Sequence, residues 1–263
     1  MLASKHREQL EIAAYEKELA GLRLTDEDLV IPEHTIQRFR NPWAKKRFPV
    51  DLLFKSLGDP RGLFVLDCGC GDGEFSTVLG LLGARVTGVD LCEALVQTAR
   101  RRARLNGIDR SVQFVRSSAH CLPFPANRFD LVFGKAVLHH LDLAQAASEF
   151  CRVLKKGGRC VFQEPIAFSK TLARIRRSWL VKALVRENRI TPGERELTLD
   201  DLQTFGAHFS RATRHEVQLL SRLDRFVRPR KMVEVLNAVD IRLLHLVPAL
   251  RKAGRTAIVQ FFI

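Results

Sequence analysis

A chain of 263 residues and 29.8 kDa accommodates one α/β domain with additions, or two small domains. Its 46% hydrophobic and 27% charged residues exclude the disordered, collagen-like and disulfide-scaffold classes. The outlying number is the charge: 43 Lys and Arg against 29 Asp and Glu leave +14, which invites nucleic acid, an anionic membrane surface or an acidic ligand.

The first residues carry charges at Lys5, Arg7, Glu8, Glu11, Glu16, Lys17 and Glu18, with no apolar core of a secretory signal. No apolar run reaches the ~18 residues of a membrane span. The expected location is cytoplasmic, or peripheral on a membrane. Residues 1–62 read as an N-terminal helical extension. Ile12, Tyr15, Leu19 and Leu22 share one helical face. Thr25 to Asp28 form a capping box, and Pro32, Pro42, Pro49 and Pro60 cut the rest into short pieces.

From residue 63 the texture changes. Apolar strands are predicted at the start of LFVLDCGCGDG, then at 85–90, 112–117, 129–134 and 159–165. Helices over about 74–82, 93–105 and 142–155 separate them. This alternation predicts a parallel sheet with right-handed crossovers, its strands apolar because helices cover both faces. Residues 166–197 are basic and partly helical. A second capping box, Thr198 to Asp201, opens a helix reaching about Phe209. Strands at 215–223 and 255–263 bracket a helical insertion over about 229–252. The expected plan is an extension or cap (1–62), a Rossmann-like core (63–165), and basic lid insertions with a final helix and strand pair (166–263).

The strongest local signal is Val65 to Gly73, a strand ending in Asp67, followed by Cys68, Gly69, Cys70, Gly71, Asp72 and Gly73. Glycines there admit positive φ and close approach of a ligand, and the following helix offers unpaired N–H groups. Asp90 ends the next strand, where a carboxylate can accept from both ribose hydroxyls of a nucleotide. The glycines are evenly spaced, unlike a dinucleotide fingerprint, and no Lys-Ser/Thr follows as in a P-loop. The six cysteines contain no C-x-x-C pair and no zinc-ligand spacing, so no metal site is expected.

On these residues the chain resembles class I S-adenosylmethionine-dependent methyltransferases of the small-molecule branch. VLDCGCGDGEFS resembles the family's first motif and GARVTGVDLCEALVQTAR its second. SSAHCLPFPANRFDLVFGKAVLHHL resembles the adenine loop and central strand, and RVLKKGGRCVFQEP the turn and fifth strand. The resemblance is dense over about 50–165 and looser over 198–263. It implies a doubly wound seven-stranded sheet, mostly parallel with a C-terminal antiparallel strand, and S-adenosyl-L-methionine as cofactor. It also implies that Asp67, Cys68, Gly69, Gly71 and Gly73 surround the methionine part, with Asp67 near the amino group. By the same resemblance Asp90 binds the ribose, Leu91 packs on the adenine, Ser118 and Ala119 meet its edge, and Lys135 lies beside cofactor or substrate. The family often has Asp where Ser118 stands. A serine hydroxyl can accept from the adenine amine, without charge assistance.

Methyl transfer from a sulfonium asks the protein mainly to align and desolvate the acceptor. His139 and His140, after the fourth strand, and Glu164, at the end of the fifth, are the candidate catalytic groups. Each also has a bland reading: the histidines as loop supports or pocket walls, Glu164 as a helix cap. The Asn/Asp-Pro-Pro-Tyr/Phe signature of amino methylation is replaced by Phe133-Gly134-Lys135-Ala136, and Cys121-Leu122-Pro123 reverses the Pro-Cys order of cytosine chemistry. A hydrophobic or anionic small molecule is the expected acceptor, O-methylation first and C-methylation next, with a lipid, quinone or natural product in view. The alternatives are an RNA methyltransferase and a cofactor-binding regulatory protein without turnover.

The charge divides unevenly. Residues 1–163 hold 24 basic and 19 acidic residues, and residues 164–263 hold 19 and 10. The excess therefore falls mainly outside the cofactor motifs. Arg100, Arg101, Arg102 and Arg104 read as the solvated outside of a covering helix. The basic, amphipathic stretch from Lys170 to Arg195 fits a lid over the acceptor, a helix on an anionic membrane, or, with few aromatics for base stacking, an RNA surface.

Overall fold

The computed structural model describes residues 2–21, 24–41, 50–167, 197–217, 230–247, 250 and 256–263. Leu22, Pro42, Pro49, the basic stretch 168–196, the predicted strand residues 218–223 and positions 248, 249 and 251–255 lie outside the described residues. The elements in chain order are α1 (Leu2–Gly21), α2 (Asp26–Leu29), α3 (Glu33–Arg40), α4 (Val50–Leu57), β1 (Phe64–Cys68), α5 (Glu74–Leu81), β2 (Arg85–Asp90), α6 (Glu93–Leu105), β3 (Val112–Arg116) and β4 (Phe129–Lys135). A 3-10 turn (Leu138–His140) leads to α7 (Leu143–Val153), β5 (Leu154–Ala167), β6 (Leu197–Thr198), α8 (Leu199–Gly206), β7 (Arg211–Val217), α9 (Arg230–Leu246) and β8 (Thr256–Phe262).

The strands lie in the order β3-β2-β1-β4-β5-β8-β7, with the short β6 beside β5. Strands β3, β2, β1, β4 and β5 are mutually parallel, and β8 runs antiparallel to both β5 and β7. Alternate residues of each strand face opposite layers. Leu66, Val132, Phe162 and Val259 join one core with Phe150, Phe205 and Phe261 beneath α7 and α8. Val65, Leu131, Phe133, Val161 and Ile258 join the other with α4, α5 and α6. Both faces are covered, which is why the central strands read as continuous apolar runs.

Helix α7 stops at Val153, earlier than the pattern to 155 suggests, and β5 begins at once. Leu154 turns extended and pairs with Phe129. The amides of Asn127 and Arg128 donate to the carbonyls of Arg152 (3.0 Å) and Val153 (2.8 Å), so the helix end is satisfied without another turn. Both capping boxes form. Thr25 N donates to Asp28 at 2.9 Å, and Thr198 N to Asp201 at 2.8 Å.

One sequence reading is overturned. Arg102 is not on a solvated face; it is 4% exposed. Its guanidinium donates to Asp72 O (3.0 Å) and Asp72 Oδ2 (2.5 Å) in the Gly-rich loop, and to the carbonyls of Asp28 (3.4 Å) and Leu29 (3.3 Å). Asn106, one turn further along, donates to Leu29 O at 2.9 Å and accepts from Ile31 N at 2.8 Å. The carbonyls left over at the end of α2 draw the arginine inward. Charge periodicity could not report this, because Asp72 lies 30 residues away and Asp28 and Leu29 lie 74 and 73 away. Arg102→Ala should therefore cost about 3 kcal/mol in urea unfolding, since it strands Asp72 and two carbonyls. Arg101→Ala, which breaks an exposed pair with Asp26, should cost less than ~1 kcal/mol. Equal losses would contradict the buried-clamp reading.

Candidate cofactor and acceptor site

The carboxyl ends of β1, β2 and β4 open onto a cleft, where ligands bind in doubly wound sheets. Its first wall is the turn after β1. Gly69, Gly71 and Gly73 all have positive φ, +70°, +54° and +78°. A side chain at Gly73 would meet Ala99 at 2.7 Å and Phe114 at 2.9 Å, so this glycine is needed for packing. A side chain at Gly71 would meet nothing within 4 Å, so its Cα faces open space where a ligand can approach the backbone.

Asp90 fastens this turn. Its Oδ2 accepts from Gly71 N and its Oδ1 from Cys92 N, both at 2.9 Å. One carboxylate thus joins the loops after β1 and β2 and still borders the cleft. Burial raises its pKa, against the three backbone N–H groups that favour the anion. Asp67 lies deeper, 2% exposed, and accepts from Ser76 Oγ at 2.5 Å. Burial pushes its pKa to about 7; the Ser76 hydrogen bond opposes the shift and the Asp90 charge adds to it. A carboxyl in this state gains from a cation brought into the cleft. Burial and the neighbouring carboxylates raise the Cys68 and Cys70 thiols well above the ordinary range, which keeps them protonated. Among the described residues no cluster of His, Cys, Asp and Glu could hold a metal.

The cleft has two lobes that share Gly69, Lys135 and Ala136. One, of about 200 Å³, is lined by Cys68, Gly69, Gly71, Asp90, Leu91, Ser118, Ala119, Lys135 and His140. The other, of about 250 Å³, is lined by Asp67, Gly69 and Lys135 among others. Of the ten residues expected at the cofactor, eight border the first lobe and Asp67 the second. Gly73 borders neither and packs behind the turn against Ala99. Lys135 is an exposed residue at the cleft, with its ammonium 4.5 Å from the Phe75 ring centre. The cleft walls desolvate the amine and lower its pKa, against the charges of Glu74 and Asp72. A larger cavity of about 360 Å³ beside α3 and α4 shares no lining residue with these lobes.

The three candidate catalytic groups separate. His139 is 4% exposed and Glu164 fully buried, and neither borders the cleft. Glu164 Oε1 accepts from the amides of Val137 (2.8 Å) and Leu138 (2.9 Å), and its Oε2 is 2.9 Å from His139 Nδ1. This carboxylate anchors the turn after β4, the capping alternative weighed for it from sequence. His140 does border the cleft. Its ring lies 4.1 Å from that of His139, centre to centre, and its Nδ1 is 3.4 Å from Glu11 Oε1.

Sequence reasoning missed the third wall. Helix α1 brings Glu8, Glu11 and Tyr15 to the same lobe. Glu8 Oε1 accepts from Ser118 Oγ at 3.0 Å and pairs with His120 Nδ1 at 3.1 Å. His120 Nε2 accepts from Asp142 N at 2.9 Å, so the ring proton belongs on Nδ1, facing Glu8. The available signal was the 3–4 spacing of positions 8, 11 and 15, which puts two carboxylates on one stripe with Tyr15.

A five-strand parallel sheet with a reversed β8, a Gly-rich turn at the end of β1 and an acid at the end of β2 define the Rossmann-like class I methyltransferase fold. Comparison with known proteins agrees. Residues 66–162 match the family model described as a methyltransferase domain. The chain is 36% identical over 132 residues to the ubiquinone/menaquinone biosynthesis C-methyltransferase UbiE of Shewanella pealeana, covering 48% of this chain and 49% of that protein. It is 37% identical over 108 residues to the sterol 24-C-methyltransferase ERG6B of Gibberella zeae, covering 40% and 28%. The chain thus spans about half the length of the first of these relatives, or less. Among solved structures, the geranyl diphosphate C-methyltransferase of Streptomyces coelicolor, in complex with Mg2+, geranyl diphosphate and S-adenosyl-L-homocysteine, superposes with a TM-score of 0.55 at 20% identity, covering 88% of this chain and 82% of that one. The [4+2]-cyclase SpnF superposes at 0.53 with 21% identity, covering 81% and 78%.

Proposed function

We propose that the chain transfers the methyl group of S-adenosylmethionine to a hydrophobic or anionic small molecule. The observation that carries this is the convergence of Gly71, Asp90, Leu91 and Ser118 on one lobe with Asp67 and Lys135 on the adjoining one. An acid and a base in the second lobe suit the ammonium and carboxylate of an amino acid. Asp90 and the open face of Gly71 suit a nucleoside. When bound, the cofactor supplies a methyl carbon already activated on sulfur.

This chain's own residues then have to seat the acceptor, exclude water and take a proton. His140 is the group for the proton, because it borders the lobe and its ring is held by Glu11. His139 and Glu164 act as positioning residues through the turn they anchor. The reading here takes carbon before oxygen as the acceptor atom, the reverse of the order favoured from sequence alone, and the carbon methyltransferases named among the relatives support it. A quinone, sterol or prenyl diphosphate acceptor also accounts for the basic C-terminal part, which would meet the diphosphate or the anionic membrane carrying the lipid.

The test is transfer of labelled methyl to demethylated quinones, sterols and prenyl diphosphates, offered free and in anionic vesicles. Labelled product from one class names the acceptor. Binding of S-adenosylmethionine with no product from any class would favour a non-methylating role, for which the superposable cyclase offers a precedent on this fold. With a productive acceptor, His140→Ala should lower kcat about 100-fold and spare cofactor affinity, as removal of a general base does. Unchanged kcat would withdraw the base assignment.

A further inference from the structure

We infer that Glu8, from the N-terminal helix, is the group that recognises the 6-amino function of the cofactor's adenine. This rests on the cofactor reading given above. Asp90 sits at the ribose end of the lobe, and Leu91 and the loop after β3 continue from it. An adenine edge reaching that loop presents an exocyclic amine, a pure donor, and therefore needs an acceptor. Ser117, Ser118 and Ala119 carry no carboxylate. The one polar side chain expected at the adenine edge, Ser118, donates its own proton to Glu8 Oε1 at 3.0 Å.

The carboxylate that faces this part of the lobe comes instead from α1, 110 residues earlier in the chain. Two donors grip it on one oxygen: Ser118 Oγ and His120 Nδ1, the latter at 3.1 Å. The His120 proton is directed there because its other nitrogen accepts from Asp142 N at 2.9 Å. Among the described residues Glu8 Oε2 takes no hydrogen bond, which leaves lone pairs for an amine. The Glu8 side chain is 24% exposed, so it sits at the rim of the lobe and can adjust without opening the core. In this arrangement α1 is part of the binding site, and Ser118 orients the acid that does the reading. An ionised acceptor outperforms a hydroxyl here, since charge-assisted bonds are about twice as strong as neutral ones.

The experiment compares the adenine and hypoxanthine forms of the product, S-adenosylhomocysteine and its deaminated counterpart, by titration calorimetry. Hypoxanthine puts a carbonyl oxygen where adenine has the amine, so a carboxylate facing it should repel it. The wild type should prefer adenine by about 10- to 100-fold, the size of one charge-assisted hydrogen bond. Glu8→Ala should weaken the adenine form about tenfold and reduce the preference to within about threefold. Glu8→Gln, whose amide can serve either base, should also lose the preference while retaining a side chain that Ser118 can bond. Adding Ser118→Asp to Glu8→Ala should restore the preference, because the acid returns to the same place from the loop.

A wild type that binds both forms equally, or a Glu8→Ala variant that keeps the full preference, overturns the assignment while the cofactor reading stands. A wild type that binds neither form refutes the cofactor reading and this inference with it.

Discussion

Asp90→Ala is expected to weaken binding of S-adenosylhomocysteine by about 100-fold, the largest loss from any single side chain of the cleft. Two effects combine. Charge-assisted bonds to a ribose diol are lost, at about 1.5–3 kcal/mol for each such bond. The amides of Gly71 and Cys92, each held by one Asp90 oxygen at 2.9 Å, are released as well, so the turn after β1 loses its shape. Calorimetry with 2′-deoxy and 3′-deoxy analogues separates the two. The wild type should bind each deoxy analogue about tenfold more weakly than the parent, whereas Asp90→Ala should not distinguish them. If the variant still discriminates, Asp90 serves only to pin the loop.

The second large effect is one of pH. Asp67 is fully buried and its pKa stands near 7. A cation brought beside it favours the anion and lowers that pKa, so binding the cofactor's ammonium expels a proton wherever Asp67 is protonated in the free protein. Cofactor affinity should therefore rise about tenfold between pH 6 and pH 8, flattening above the free-state pKa. In Asp67→Asn the rise should vanish. Calorimetry in two buffers of different ionisation enthalpy should report net proton release near pH 6 for the wild type alone. A pH-independent affinity would remove Asp67 from the ammonium site. The same raised pKa bears on folding with the opposite consequence. The folded protein holds a proton that the unfolded chain gives up above the ordinary carboxylate pKa of 3.8. Asp67 thus makes the free protein progressively less stable as pH rises from about 4 to 7. Bound cofactor should relieve that penalty, so the stabilisation it confers should be greater at pH 8 than at pH 6.

Much of this site can be read from local pattern. A strand ending in acid, three alternating glycines and a second strand ending in acid all lie between residues 64 and 90, where spacing translates directly into geometry. The second strand and the helix after it were expected at 85–90 and 93–105, and β2 and α6 occupy those ranges. Their registers follow from period-2 and period-3.6 burial, which a window of ten residues records. The C-terminal strand pair was less well placed. The strand expected at 215–223 begins at Arg211, because its pairing with β8 is set by a partner some fifty residues away.

The roles of charged side chains divide along the same line. The amino-acid sequence alone sufficed to put Asp90 at the end of β2 and Asp67 one residue short of the end of β1, since a carboxylate closing an apolar strand at a sheet's carboxyl edge has few places to go. It marked His139, His140 and Glu164 as a group but could not sort them. Register pairs Glu164 with the turn after β4 and leaves His140 at the cleft. For Arg102 and Glu8 it pointed the wrong way or nowhere. An arginine on a basic helix and a glutamate on a polar one both look solvated until their partners arrive from elsewhere in the chain. Burial of Arg102 was decided by the carbonyls of Asp28 and Leu29, and the seating of Glu8 at the rim of the cleft by Ser118 and His120. Hydrogen bonds spanning more than seventy residues leave no periodic trace, and only the docked helices bring those donors and acceptors within 3.5 Å of each other.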